Sequence, residues 1–513
     1  MMSKFRLFLA MASLSVLSAC GGGGSVNANG NTNPSQPPPT NTFSGTVQFK
    51  GNPLAGVTMT LWLTNTNTVE GTTTTDASGN YSFSGLSASG NSTAVYQVWA
   101  TKAGYGFYPS VGSGASVIRF DHTGNFQGNG VTDIAIYLTV IQYNSLPNTS
   151  LSGANFTAYD GTNPLVTIPA TGQTTSYISG DDGDLKKGVV WPATRFASHA
   201  DGTVTDNLTG LVWLKDAGCL APAHFAAALT EANQLASGTC GLTDGSKAGD
   251  WRMPNINELE SVIDVTTSGP ALTAGIFTNV SNGIYWTSTS YFGGQAGSPQ
   301  AWTIRMSDGR FMNDSINNIN VKTTSTNAVW AVKGTSNGTI KLQATGQFAT
   351  YLAGDDGRIQ AGVQPTFERW VDKGNGTIVD TVTGLTWLKK ADCIDLSWSA
   401  ALSFIGALAS GQCGLTDGST AGSWRMPNRN EMQSLSDRNE NNMGDFFNAT
   451  YKNWDGTTFR LPIFTNFVGY QYYWTSTTDA ADATGSTVWT VFSCDYGVYD
   501  QPKSGTGYSL AVR

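Results

Sequence analysis

The pattern of apolar and polar residues in the first third of the chain predicts short β-strands. Apolar and polar side chains alternate over residues 43–49, 57–63 and 96–100, and turn-forming residues such as those at 76–80 separate the runs. Because successive side chains of a strand point to opposite faces, this alternation indicates strands with one buried face. The spacing of the runs predicts an all-β sandwich over residues 43–142.

The remainder of the chain is a sequence that occurs twice. Residues 201–213 return as residues 375–387, 174 positions further along, and residues 249–255 return as 422–428. The second copy is longer because of an insertion around residues 439–464. A repeat of this length predicts two tandem globular domains rather than a solenoid. We assign them to residues 195–335 (copy 1) and 368–513 (copy 2), with linkers at 143–194 and 336–367.

Each copy is predicted to be an α+β domain, with helices early and an antiparallel sheet late. An alanine-rich stretch at 222–237 has helical apolar spacing. A second helix is expected to start at Asn255, because Glu258 three residues later completes a capping box, and Asn428 with Glu431 repeats this pattern. Strands are expected at 203–205, 211–214, 284–288, 301–306 and 328–332.

The N-terminus has the features of a secretory signal. Lys4 and Arg6 precede a short apolar run at 7–17, which ends just before Cys20. The cysteine makes residues 1–20 resemble the lipobox of bacterial lipoproteins. This resemblance implies that Cys20 is acylated and anchors the chain in a lipid bilayer, at the outer membrane and exposed on the cell surface. An ordinary signal peptide with a chance cysteine is the alternative. Residues 21–42 are predicted to be a flexible linker.

Composition and charge narrow the classes of function. Only 12% of the residues are charged, 60 are glycine, and the formal net charge is −8. An acidic chain does not offer the basic surface that nucleic-acid binding requires, so no nucleic-acid partner is expected. The aromatic content of 11% excludes wholesale disorder.

Two parts of the chain resemble known families. Turn motifs at 44–47, 53–57, 75–83 and 102–105 resemble the carboxypeptidase-regulatory-like or collagen-adhesin B-type β-sandwich family. In the repeats, the motifs at 202–213, 240–246, 251–258, 285–289 and 331–333 recur in order at 376–387, 413–419, 424–431, 473–477 and 511–513. Together these motifs resemble the C-terminal domain of the Legionella collagen-like (Lcl) adhesin. That resemblance implies a C-type-lectin-like α+β fold for each copy and adhesion to glycans.

The cysteines of each copy form a corresponding pair. Cys219 and Cys240 in copy 1 match Cys393 and Cys413 in copy 2. In an exported protein we expect one disulfide within each copy, since zinc sites would need further ligands nearby. Cys494 is left over, either as a free buried thiol or as an intermolecular bridge or reactive thiol.

Acidic and histidine residues do not compose an active site or a metal site. Asp181, Asp182 and Asp184, repeated in part as Asp355 and Asp356, suit either a calcium loop or a solvated turn. The calcium motifs of lectins are absent from the late strands, and His199 and His224 occur in copy 1 only. We expect no enzyme activity, no metal and no cofactor.

Ligand binding is assigned to copy 2. The repeated aromatics Tyr285, Trp286, Trp302, Tyr473, Trp474 and Trp489 are interpreted as core residues. The insertion carries Tyr451, Trp454 and Arg460, and loops on a rigid scaffold usually carry recognition. Arg425 and Arg429 form a local basic cluster for acidic groups. The predicted function is adhesion or recognition at the cell surface, with an extracellular glycan or a surface protein as partner. The alternatives are a structural envelope protein and an enzyme of the formylglycine-generating type that uses Cys494.

Overall fold

The computed structural model describes residues 41–63, 68–86, 94–102, 105–111, 136–140, 150–151, 154–159 and 164–513, the last range with gaps at 292–298, 313–319, 348–349, 364–368, 439–441, 449–450, 453–457, 461 and 483. Cys20, the predicted signal peptide and most of the predicted flexible linker lie outside the described residues. The protein is a multidomain chain of many β-strands and few helices. Within the described residues, no helix combines the length and the apolar character that crossing a membrane requires.

Two β-sheets form the N-terminal domain. Its strands are β1 (Asn41–Phe49), β2 (Asn52–Pro53), β3 (Thr58–Leu63), β4 (Thr68–Thr74), β5 (Asn80–Leu86), β6 (Ala94–Thr101), β7 (Gly106–Val111), β8 (Ile136–Val140), β9 (Ser150–Leu151) and β10 (Ala154–Tyr159). One sheet has the order β2-β1-β10-β7, with β5 and β9 also paired to β1, and the other has the order β4-β3-β6-β8. Alternate residues of the strands, such as Phe43, Val47 and Met59, are buried in one apolar core. The predicted sandwich architecture is therefore present.

The predicted boundary of the sandwich at residue 142 is wrong. β10 lies beside β1 in the sheet, with Val47 opposite Phe156, and Phe156 and Ala158 belong to the core. β9 also pairs with β1. These strands have weak local signals, and their place depends on a partner more than 100 residues earlier in the chain. The domain extends to Tyr159.

Copy 1 and the segment before it contain short strands and helices. They are α1 (Asp182–Leu185), β11 (Phe196–Ser198), β12 (Thr203–Asp206), β13 (Val212–Leu214), α2 (Phe225–Gln234), β14 (Trp251–Arg252), α3 (Ile256–Ser261), β15 (Ile284–Ser290), β16 (Ala301–Arg305), β17 (Arg310–Met312) and β18 (Val332–Lys333). The strands form sheets of order β11-β12-β13-β18-β14 and β15-β16-β17.

Copy 2 repeats this arrangement with additions. Its elements are α4 (Asp356–Ile359), β19 (Trp370–Asp372), β20 (Thr377–Asp380), β21 (Thr386–Leu388), β22 (Asp395–Ser397), α5 (Trp398–Ala407), α6 (Arg429–Ser434), α7 (Met443–Asn448), β23 (Tyr451–Lys452), β24 (Thr458–Arg460), β25 (Tyr472–Thr478), β26 (Thr487–Phe492), β27 (Val498–Pro502) and β28 (Thr506–Tyr508). The sheets have the orders β19-β20-β21, β22-β28-β25-β26-β27 and β23-β24. α7, β23 and β24 lie in the insertion.

The local sequence signals of the copies correspond to the elements that form. α2 lies within the predicted helix at 222–237. α3 and α6 both begin with the predicted capping box, in which Asn255 or Asn428 accepts from the backbone of Glu258 or Glu431. Only the end of the predicted strand at 328–332 is a strand, β18. The repeated aromatic residues are buried, as the sequence predicted.

Both predicted disulfides are present in the structure. Cys219 bonds to Cys240 and Cys393 to Cys413, with Cα atoms 5.7 and 5.8 Å apart. Each bond closes a loop that contains the longest helix of its copy, α2 or α5.

We expect the double substitution of Cys219 and Cys240 by serine to lower the free energy of unfolding of copy 1 by about 3 kcal/mol, because the open loop gains entropy in the unfolded chain. Chemical denaturation under oxidising conditions measures this change. Cys494→Ser is the matched control, since Cys494 is a free thiol. An equal loss in the control would show that the bond itself contributes nothing.

The residues predicted to be linkers between the domains are largely ordered, and this prediction is wrong. Residues 166–191, here called the first crossing segment, form hydrogen bonds with copy 2, while the copy that they precede contacts them where the Arg195 guanidinium lies over the Trp191 ring. Gln173 donates through Nε2 to the Thr478 carbonyl at 2.9 Å, and the Thr478 N–H donates back to Gln173 Oε1 at 3.1 Å. Thr477 Oγ1 donates to Asp182 Oδ2 at 2.7 Å, and Asn428 Nδ2 donates to the Lys187 carbonyl at 3.1 Å.

Residues 340–363, the second crossing segment, make the same contacts with copy 1. The Ser290 N–H donates to Gln347 Oε1 at 2.6 Å, and Thr289 Oγ1 donates to Asp356 Oδ2 at 2.8 Å. Asn255 Nδ2 donates to the Ala361 carbonyl at 3.0 Å. Each copy is thus completed by one crossing segment. For copy 1 this segment follows it directly, whereas copy 2 receives the segment that lies before copy 1. The segments before and after copy 1 thus hold the two copies together, and we call this arrangement the closed pair.

Candidate functional site: the inter-copy cleft

A cleft lies where the two copies and the two crossing segments meet. Its volume is about 80 Å³. α3 and α6 face it at equivalent positions, with Asn257 and Ser261 on α3 matched by Asn430 and Ser434 on α6. The apolar part of the wall consists of Val166, Ile168, Pro169, Ala170, Trp191, Leu208, Ile263 and Leu342. We call this site the inter-copy cleft.

The crossing segments are held at the cleft by side-chain amides. Asn257 Nδ2 donates to the Gln343 carbonyl at 2.9 Å, and Asn430 Nδ2 donates to the Pro169 carbonyl at 3.1 Å. Both asparagines follow the first residue of a helix that a capping box starts. The capping boxes therefore place two side-chain amides at equivalent positions, where each amide binds one crossing segment.

Several residues of the walls carry buried polar atoms that have no hydrogen-bond partner among the described protein atoms. They are the donors Arg195 Nη1, Arg429 Nε and Gln433 Nε2 and the acceptors Glu260 Oε1 and Gln343 Oε1. Arg195 and Gln433 are each 6% exposed, and Arg429 is 1% exposed. Buried polar groups without partners are costly, and each one in a folded protein calls for an explanation.

Charge is distributed unequally between the two copies at the cleft. Arg429 and Gln433 of copy 2 stand where copy 1 has Ile256 and Glu260, in the aligned order of the repeat. Arg429 Nη2 lies 4.0 Å from Glu260 Oε1 and donates to the Gly309 carbonyl at 2.6 Å. The copies therefore meet through complementary groups, which two identical copies would not provide.

Burial dominates the titration of this cluster. It raises the pKa of Glu260 to about 7, although Arg429 and Arg438 favour the ionised carboxylate. Burial also lowers the pKa of Arg438 to about 10. The Arg438 guanidinium donates to Gln433 Oε1 at 2.7 Å, which orients that amide beside the cleft.

The two arginines predicted to bind acidic groups at the surface are not placed there. Arg425 forms a two-fold hydrogen-bonded pair with Glu431, with both distances 2.6 Å, and so supports the capping box of α6. Arg429 is buried, and its guanidinium lies over the Trp489 ring at 4.9 Å. The prediction of a basic surface cluster is wrong, because Arg425 is paired with Glu431 and Arg429 is buried with its Nη2 bonded to the Gly309 carbonyl. Arg429 contributes instead to the wall of the inter-copy cleft.

The other predicted ligand residues lie in the insertion. Tyr451 is in β23 and Arg460 in β24, which pair with each other. Trp454 lies outside the described residues. The insertion residues therefore stay a prediction.

The acidic loops are part of the crossing segments. Asp181 and Asp355 are helix N-caps that accept from the backbone of Asp184 and Arg358. Asp182 and Asp356 are buried and accept from threonine hydroxyls. Capping and attachment account for these carboxylates. Among the described residues, no group of three or more His, Cys, Asp or Glu side chains is arranged to hold a metal ion.

Asp356 is expected to make stability dependent on pH. Burial raises its pKa to about 7, although hydrogen bonds from Thr345 and Thr289 oppose the shift. Between about pH 4 and pH 7 the folded state then binds more protons than the unfolded state, so the free energy of unfolding falls as pH rises through this window. Asp356→Asn keeps an oxygen that accepts from both hydroxyls, and it should reduce this fall by on the order of 3 kcal/mol.

Denaturation midpoints between pH 4 and pH 8 measure this effect. Asp395→Asn, at an exposed position in copy 2, is the control and should leave the slope unchanged. An unchanged slope for Asp356→Asn would contradict the prediction.

Sequence reasoning did not identify Arg195, Glu260, Gln343 and Gln433 as site residues. The available signal was the divergence between the copies, since Glu260 and Gln433 occupy equivalent positions in otherwise similar helices. Gln343 also differs from its equivalent, Pro169, whereas Arg195 carries no such signal because copy 2 has Arg369 at the same position.

The fold and the cleft define a β-rich protein with an N-terminal sandwich and a closed pair of repeated domains. The family model of the Lcl C-terminal domain matches residues 202–333 and 376–513, which together are more than half of the chain. The chain therefore belongs to the Lcl C-terminal domain family. No curated protein gives a significant sequence match.

Solved structures give only partial likenesses. The shaft pilin SpaA of Lactobacillus rhamnosus GG is 16% identical over 32% of this chain and 62% of its own, with a TM-score of 0.15. The major pilin SpaD of Corynebacterium diphtheriae is 12% identical over 25% of this chain and 32% of its own, with a TM-score of 0.14. The chain thus spans less than two thirds of these pilins. With such TM-scores, the likeness supports no conclusion about function.

Proposed function

We propose that this protein is a bacterial surface adhesin or recognition protein that binds a glycan in the inter-copy cleft. The observation that carries the proposal is the set of unpaired groups in the cleft walls, which contains both donors and acceptors. A sugar hydroxyl donates and accepts at once, so adjacent hydroxyls suit such a mixture. The apolar wall suits the C–H face of a sugar ring.

The size of the cleft restricts what enters it. A volume of about 80 Å³ holds several waters and admits part of one sugar ring, not a longer oligosaccharide. The proposal is therefore a terminal sugar of a glycan, with the remainder of the glycan outside the cleft. The insertion residues Tyr451, Trp454 and Arg460 are proposed to contact that remainder.

The surroundings of the site are part of the same proposal. Each copy is proposed to have a C-type-lectin-like fold, and the N-terminal sandwich to be a carboxypeptidase-regulatory-like spacer. Cys20 is proposed to be acylated and to anchor the chain in the outer membrane, with the repeats exposed on the cell surface. Mass spectrometry of the membrane fraction, with Cys20→Ser as the control, tests the anchor.

A glycan array tests the binding proposal. The protein used should be residues 164–513, because a later start would remove part of the first crossing segment. We expect saturable binding to one class of terminal sugar. Ala170→Phe should weaken it at least about tenfold, equivalent to 1.4 kcal/mol, because the ring fills the cleft without removing a hydrogen-bonding side chain. Arg358→Ala, at an exposed position outside the cleft, should bind normally.

Two outcomes would favour other functions. Sensitivity of binding to EDTA would indicate a calcium site. Absence of binding by a folded protein would favour a structural envelope protein with protein partners.

An enzyme of the formylglycine-generating type is the remaining alternative, and the environment of Cys494 weighs against it. Burial raises the pKa of the Cys494 thiol, and Asp495 and Asp445 raise it further. A reactive thiol needs the opposite shift. Cys494→Ser should therefore leave glycan binding unchanged.

A further inference from the structure

The first and last strands of the N-terminal sandwich are parallel neighbours. β1 pairs with β10 through Val47 and Phe156, Gln48 and Thr157, and Phe49 and Ala158. The first half of β1 also pairs in parallel with β9, with Thr42 opposite Ser150 and Phe43 opposite Leu151. A late strand of the domain, β9 or β10, is therefore parallel to each half of β1.

This pairing fixes the direction in which an external load acts. A pull from the N-terminus acts on β1 at its start, at Asn41, whereas a pull from the repeats acts on β10 at its end, at Tyr159. In a parallel pair these points lie at opposite ends, so the strands are drawn past each other along their axes. The hydrogen bonds between them then share the load and must break together, rather than one after another.

A side-chain contact reinforces this pair. The Thr46 N–H donates to Asn155 Oδ1 at 3.0 Å, and Thr46 Oγ1 donates to the same oxygen at 2.9 Å. The contact joins β1 directly to β10. We propose that the N-terminal sandwich is a load-bearing element, in which the parallel β1–β10 pair and the Thr46–Asn155 contact resist tension along the chain in shear.

The load then continues into copy 2. Beyond Tyr159 the chain enters the first crossing segment, where the Val166 N–H donates to the Val382 carbonyl at 3.0 Å. Tension from the N-terminal side therefore reaches copy 2 directly, through this contact and through those of Gln173 and Asp182. The inference uses the proposed surface anchor only for the direction of the pull.

Single-molecule force spectroscopy tests the proposal on the full mature chain. All variants carry Cys494→Ser. In the shear geometry the handles are terminal tags at both ends. In the control geometry one handle is the N-terminal tag and the other is attached at Ser84→Cys on β5. β5 is antiparallel to β1, and Ser84 lies opposite Thr42 near the start of β1. This pull therefore peels β1 away from β5 starting at that end, so that the hydrogen bonds of β1 break one after another.

Unfolding of residues 41–159 releases about 400 Å of extended chain, which identifies the event in the shear geometry. We expect the sandwich to unfold at a force about twofold higher or more in shear than in the control geometry, because several hydrogen bonds are loaded at once. Asn155→Ala should lower the force in shear and leave the control force unchanged. Equal forces in the two geometries, or an equal drop in both for Asn155→Ala, would overturn the proposal. These forces are measured without glycan, so a failure of glycan binding gives a separate result.

Discussion

Removal of residues 164–191 is expected to destabilise copy 2 and to leave copy 1 nearly unchanged. The removed residues lie before copy 1 in the chain, but they supply Gln173 and Asp182 to copy 2. Without them, Thr477, Thr478 and Asn428 lose these partners, and all three residues are buried. At about 1 kcal/mol for each lost hydrogen bond, and more where a buried group is left unpaired, the loss is on the order of 5 kcal/mol.

Hydrogen–deuterium exchange, followed separately in the two copies, measures this effect. The repeat provides a stringent control: residues 166–191 can be joined after Arg513 through a linker copied from residues 334–339, which connects copy 1 to its own crossing segment. We expect this rearranged chain to regain the protection of copy 2. Equal loss of protection in both copies after the deletion, or no recovery in the rearranged chain, would contradict the closed-pair arrangement.

The second large effect is expected for Asp380→Ala. This change should lower the free energy of unfolding by about 3–5 kcal/mol, because it leaves a buried arginine without its partner. Asp380 is fully buried and accepts from Arg369 Nε at 2.9 Å and Nη2 at 2.7 Å. It also accepts from Thr383 Oγ1 at 2.7 Å and from the Val382 N–H at 3.0 Å. The Val382 carbonyl in turn accepts from Val166, so the loss should extend to the first crossing segment.

Protection of copy 2 against hydrogen exchange measures this loss separately from the stability of copy 1. Asp206→Ala, the equivalent change in copy 1, should lower protection there, and Asp395→Ala at the surface should change neither copy. Retained protection in Asp380→Ala would show that the buried pair contributes little.

The sequence predicted those features that neighbouring residues determine. The spacing from Asn255 to Glu258 specifies a helix start, because the side chain and the backbone that bond are three residues apart. Cys219 and Cys240 were paired correctly because the two copies share their spacing and an exported chain favours disulfides. Alternation over residues 43–49 indicated β1 for the same local reason.

The predicted site was less successful, and Arg425 and Arg429 show why. A basic residue in a polar stretch is compatible with a surface cluster, and nothing within a few residues shows which partner it meets. The partner of Arg425 is near in the chain, at Glu431, whereas Arg429 meets Gly309, which is distant. Burial of a charge depends on what packs over it, and only the tertiary structure shows this.

By itself the sequence determined the repeat, the helices α2 and α3 and the strands β12, β13, β15 and β16 of copy 1, the capping boxes and the disulfide pairs. The tertiary structure decided which crossing segment completes which copy, the position of β10 beside β1, and the inter-copy cleft. The physical reason is the distance along the chain. Contacts such as those between Gln173 and Thr478 join residues about 300 positions apart, and their energy arises only when the packed surfaces are already in place.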